Sequence, residues 1–119
     1  VKAQAREDAG PIDAESVARV RDELGLDVWK AVAEIYWPQS DTDLAACRAA
    51  VMTQNATARR SAAHSLKGAS ASLGFATIAS LAAVLERCEP DVAGPTLARL
   101  ESAYDQARTA WSLTAIVTD

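Results

Sequence analysis

The chain has 119 residues, 50% hydrophobic and 24% charged, with only 5% aromatics and a net charge of −4. That length suits one domain, and that balance excludes a disordered tail, a collagen-like repeat and a disulfide scaffold. No apolar run reaches the roughly 18–20 residues of a membrane span, and the polar start VKAQAREDAG lacks a signal-peptide core.

Abundant alanine, with glycine and proline mostly at the edges of periodic stretches, predicts an all-α fold. Residues 1–10, ending in Gly10-Pro11, read as a flexible arm or linker remnant, and residues 11–119 as one helical bundle domain. Asp13 is placed to cap a first helix with Val17, Val20 and Leu24 on one face, closed by Gly25. Asp27 starts a second, with Val28, Val32, Ile35 and Tyr36 inward, and Pro38 disfavours helix at Trp37. A third begins at Asp41 or Asp43, places Leu44, Cys47 and Val51 on its inner face and ends near Gln54-Asn55. Thr57 caps the fourth, whose stripe is Ala62, Leu66, Ala69 and Leu73, ending near Gly74. The fifth buries Ile78, Leu81, Ala82, Leu85 and Cys88. The sixth follows Gly94-Pro95 with Leu97, Leu100, Tyr104, Ala107 and Trp111 inward. Short loops make the last four an antiparallel four-helix bundle, with one or two short N-terminal helices covering an end.

Cys47 and Cys88 fall on apolar faces and read as buried, reduced thiols. With one histidine and no CxxC pair, no metal site is expected. Charge is uneven: Leu44 to Leu85 contains no acid while Arg48, Arg59, Arg60 and Lys67 give it +4, and the flanks carry −8. Four cations spread over forty residues without interleaved aromatics do not make a nucleic-acid groove; a small anion or an acidic protein patch fits better.

The informative positions surround His64. Burying the Ala62, Leu66, Ala69 and Leu73 stripe turns His64 to solvent, and Arg60, Lys67, Gly68 and Ala71 lie within about 60° of it. Glycine inside a helix costs roughly 1 kcal/mol relative to alanine, so Gly68 marks a close approach, either of a partner macromolecule or of a crossing helix. A neutral imidazole has one lone pair free for nucleophilic attack, and an ammonium one turn away can steady a phosphoryl group on it. A serine hydrolase is disfavoured because no carboxylate lies within twenty residues of His64 to orient the ring. No glycine-rich phosphate loop is present, so ATP binding is not expected.

The run Ala63-His64-Ser65-Leu66-Lys67-Gly68-Ala69-Ser70-Ala71-Ser72-Leu73-Gly74 resembles the signature of histidine-containing phosphotransfer domains, H-x-L-K-G-x-[SA]-x-x-[LIF]-G. The resemblance continues into Ile78, Leu81 and Leu85-Glu86 and covers roughly residues 25–112. It implies a phosphocarrier of two-component phosphorelays in which His64 takes a phosphoryl group from a receiver-domain aspartate and passes it to another. By the same resemblance Lys67 steadies the phosphoryl group, Gly68 makes room for the partner and Glu86 has a supporting role; Arg60 and Ala71, on the same outward strip by helical geometry, extend the expected partner face. The implied partners are response-regulator receiver domains and a hybrid histidine kinase, with Mg2+ coming from the receiver and no cofactor, metal or kinase activity in this chain. A cytoplasmic, monomeric protein without nucleic-acid binding or membrane insertion is expected. The alternatives are the phospho-accepting domain of a chemotaxis-type kinase, similar in its Gly74-Phe75 continuation, and a helical adaptor without chemistry.

Overall fold

A computed structural model describes residues 13–118, with side chains described through Ser112; the expected arm over residues 1–10 lies outside the described residues. Five helices follow one another: α1 (Ala14–Leu24), α2 (Leu26–Met52), α3 (Ala56–Ser72), α4 (Ala76–Arg87) and α5 (Pro90–Thr118). Among the described residues there is no strand. The last four form a closed up-down-up-down ring, α2 against α3, α3 against α4, α4 against α5 and α5 back against α2, while α1 packs outside against α2. Leu66, Ile78, Leu85 and Leu100, one from each of α3, α4 and α5 with a second from α4, are fully buried beside Trp29 and Cys47 of α2. No described helix is long and apolar enough to cross a membrane.

The expected second and third helices are one. α2 runs unbroken through Pro38, so Asp41 and Asp43 are mid-helix residues rather than caps, and Gly25, not Asp27, stands at its N-cap. Its buried side is also turned: Trp29, Ala33, Tyr36 and Trp37 are inside, while Val28, Val32 and Ile35 are exposed. Burial magnitudes account for both changes. An interior proline costs about 3 kcal/mol, whereas burying Trp29, Tyr36 and Trp37 is worth roughly 2 kcal/mol or more for each ring. Pro38 is itself exposed, as is Glu34, whose carbonyl loses its helical partner there. The rings then pack on partners outside α2, Trp29 edge-on to Trp111 with centroids 4.4 Å apart, Tyr36 stacked on Phe75 at 5.1 Å and Trp37 tilted against it at 5.2 Å.

Helix ends follow local rules at two turns. At the end of α3, Gly74 (φ +86) sends its N–H to the Ala71 carbonyl, and Phe75 N–H reaches the Ser70 carbonyl. At the end of α2, Gln54 (φ +56) does the same, with Asn55 N–H on the Ala50 carbonyl. Asn55, not Thr57, caps α3, its side chain accepting from Ala58 N–H at 3.0 Å. α5 starts five residues early, with Pro90 in the first helical position where its missing N–H is harmless, and Gly94-Pro95 lies inside the helix. Asp13 does precede α1, but its carboxylate leaves that helix uncapped and accepts instead from Thr77 N–H and Oγ1 at 2.8 and 2.9 Å. It thereby caps α4 from outside and holds α1 over the α3–α4 turn.

Hydroxyls tie the ring together. Tyr36 bonds Ser70 across α2 and α3, and Ser40 bonds Tyr104 across α2 and α5, both at 2.8 Å. Tyr104 also donates to Asp41, which Arg108 holds at 2.6 Å. Burial pushes Asp41 up, but the bonds from Arg108 and Tyr104 outweigh it and hold the carboxyl below its ordinary range. Burial pushes the Tyr36 phenol up to about 12. Because its folded value is raised, the stability Tyr36 contributes is complete below the ordinary tyrosine value of ~10 and is lost as pH rises through about 12. Phenolate absorbance and helical circular dichroism are therefore expected to change together in an alkaline titration; a phenolate signal complete by pH ~10 with the helices intact would contradict this. Burial likewise lifts the Cys47 thiol to about 11, whereas Cys88, expected to be buried, is only half-covered at the end of α4.

Candidate functional site

His64 sits in the middle of α3, and with its inner neighbours Ala63 and Leu66 wholly buried its side chain is left 69% exposed. Glu86, in the last turn of α4, stands opposite. Its Oε2 lies 3.1 Å from His64 Nδ1 and its Oε1 2.7 Å from Lys67 Nζ, so one carboxylate bridges both groups. The Lys67 hydrogen bond holds Glu86 below the ordinary carboxylate range, more than offsetting partial burial, and the His64 bond adds to it. An ionised carboxylate only accepts hydrogen bonds, so Nδ1 carries the proton. In the neutral ring the lone pair is then on Nε2, the nitrogen away from Glu86. No acid stands within twenty residues of His64 in sequence; α3 and α4 run antiparallel, and this brings Glu86, which the resemblance gives a supporting role, from 22 positions away.

The remaining expected residues share the outer face of α3. Arg60, Gly68 and Ala71 are all exposed. A Cβ built on Gly68 meets nothing within 4 Å, so the crossing-helix explanation of this glycine is removed and open surface is what it provides. Gly68→Ala is accordingly expected to raise stability by about 0.5–1 kcal/mol in chemical denaturation. A fall instead would show a backbone need that the helix does not display.

The basic face is smaller than charge counting predicts. Arg59 is buried, Arg48 pairs with Glu101 and Lys67 with Glu86, which leaves Arg60 as the one of the four that is both exposed and without an ion pair among the described residues. Two features had no signal in the sequence. Ser65, beside His64, donates to Asp43 Oδ2 of α2 at 2.8 Å, and Asp43 also accepts from Gln39. Arg59 reaches across to the end of α4, donating to the Leu85 carbonyl and to Cys88 Sγ. Among the described residues no group of three histidine, cysteine or acidic side chains is placed to hold a metal ion.

A four-helix ring that presents one bare imidazole beside an acid and an ammonium defines a class of histidine-bearing helical bundles. Within that class the family model of the Hpt domain matches residues 31–110, more than half of the chain, and the chain belongs to that family. No curated protein and no solved structure matched it. Hpt domains serve histidine phosphotransfer in phosphorelays and interact with receiver domains and histidine kinases.

Proposed function

We propose that this chain is a phosphocarrier in which His64 Nε2 accepts a phosphoryl group from the aspartyl phosphate of a receiver domain and returns it to a second receiver. The observation that carries this reading is the Glu86 bridge, because its carboxylate accepts from Nδ1–H, favours the tautomer with the proton there and leaves Nε2 as the outward nucleophile. In transfer the Nε2 lone pair attacks phosphorus, the bond from phosphorus to the receiver's carboxylate oxygen breaks, and the ring gains positive charge. Glu86 balances that charge through Nδ1–H, and Lys67, one turn along, meets the phosphoryl oxygens. Gly68 and Ala71 leave room for the receiver, with Arg60 at the edge of the same face. Mg2+ and the acidic pocket belong to the receiver, and the place of this chain beside a hybrid kinase is part of the same proposal.

The test is incubation with a radiolabelled phosphorylated receiver, followed by mapping of the label. An acid-labile, alkali-stable label on His64 is expected. A labelled panel of receivers from the source organism that transfers nothing to His64 would refute the reading. Lys67→Ala is expected to slow transfer about 10–100-fold without unfolding the helices. A large side chain at Gly68, such as Gly68→Gln, is expected to slow transfer from a receiver while leaving labelling by small phosphoramidate unchanged. Equal loss with both donors would place Gly68 in the chemistry rather than the docking.

A further inference from the structure

At the pole of the bundle opposite α1, the end of α2 meets the starts of α3 and α5. Between them is a cavity of about 100 Å3 whose walls include Val51, Gln54, Ala56, Arg59, Pro90 and Ala93. That is room for several waters, since about 10–15 Å3 by this measure holds one.

Arg59 is the unusual member. It is 5% exposed, and its Nη1 donates to the Leu85 carbonyl at 2.5 Å and to Cys88 Sγ at 3.3 Å, two neutral acceptors. Among the described residues no carboxylate lies within ion-pair distance of it; Glu89 and Asp91, the nearest acids in sequence at the start of α5, are exposed. A buried charge without a counter-ion is costly, and the carbonyl end of α4 offers only about half an elementary charge to offset it. The same cavity lies at the first turns of α3 and α5, whose positive ends stand against the negative last turn of α2, so the guanidinium is the one full charge in its wall. A buried cation with no counter-ion in the wall of a partly open cavity lacks one component, a small anion.

We propose that this cavity binds a small tetrahedral oxyanion of the size and charge of inorganic phosphate, held by Arg59 with the Gln54 carboxamide at the rim. The site is separate from His64. Arg59 precedes His64 by five residues, about 140° around α3 and about 7.5 Å along it, so an anion bound there does not block the outward face. Its occupancy would instead couple to stability, by joining the ends of three helices.

The experiment is thermal unfolding of the full chain in phosphate, sulfate or chloride at equal ionic strength. At phosphate about tenfold above its dissociation constant, a rise in Tm of roughly 5 °C over chloride is expected. Phosphate and sulfate stabilise folded proteins in general, so the specific effect is the part that variants remove. Arg59→Met is expected to abolish the difference. Gln54→Glu, an exposed change that puts an acid at the rim, is expected to abolish it as well and keeps the test decisive if Arg59→Met does not fold. His64→Gln is expected to retain it. A phosphate response equal to that in chloride, or one that survives in Gln54→Glu, overturns the proposal.

Discussion

His64→Gln is expected to accept no phosphoryl group from any receiver and to melt at the wild-type temperature. The loss is complete because the nucleophilic lone pair goes with the ring, and a glutamine amide nitrogen, its electrons shared with the carbonyl, cannot replace it. The fold is indifferent because the side chain is 69% exposed and its main contact is the 3.1 Å bond to Glu86, which a carboxamide can still donate. Transfer assays with a radiolabelled receiver, paired with thermal melts, check both halves. Residual label on the variant would mean that another group carries the phosphoryl; a large drop in Tm would mean that the ring has a structural task its exposure does not suggest. Both outcomes bear on the phosphocarrier reading, the first by removing it and the second by complicating the variant.

The second large effect is structural. Gly74→Ala is expected to cost about 2–4 kcal/mol and lower Tm by roughly 10 °C or more. Gly74 has φ +86, where an L side chain is strained, and a Cβ there would meet the Ser16 carbonyl oxygen at 2.7 Å and Val17 Cα at 3.1 Å. These are backbone atoms of α1, so relief requires that helix to move. Gly25, at φ +88 with nothing within 4 Å of its Cβ, separates the two contributions. Gly25→Ala suffers backbone strain alone, at ψ 148 in a region almost exclusive to glycine, so any excess cost of Gly74→Ala over it is assigned to the seating of α1 on the α3–α4 turn. Hydrogen exchange should quicken in α1 in the Gly74 variant first, since α1 buries no residue fully and is held by the partly buried Val17 and Val20 and by Asp13 on Thr77. A Gly74→Ala variant as stable as wild type, with unchanged exchange in α1, would show that the close approach carries no energy.

Much of this protein is legible from periodicity. The stripes of Ala62, Leu66 and Leu73 on α3 and of Ile78, Ala82 and Leu85 on α4 are buried as their spacing requires, and that spacing alone turns His64 outward. The errors share one cause. By its local rule Pro38 ends a helix, and by hydrophobicity Val28, Val32 and Ile35 face inward, but the three aromatic rings of α2 meet Phe75 in the α3–α4 turn and Tyr104 and Trp111 on α5, and the sum of those contacts overrides both. Likewise the cap at Asp13 was placed at the right residue but serves the wrong helix, because Thr77 becomes its neighbour only after the chain has folded.

The sequence by itself determined the all-α class, the outward imidazole and the run around it, because helical phase is set by the order of residues along one segment. Tertiary structure decided what stands next to that imidazole. The Glu86 bridge, the pairing that quiets most of the basic stretch and the buried guanidinium of Arg59 each join residues of different helices. Charge and hydrogen-bond chemistry depend on distances through space, and no spacing along the chain encodes those.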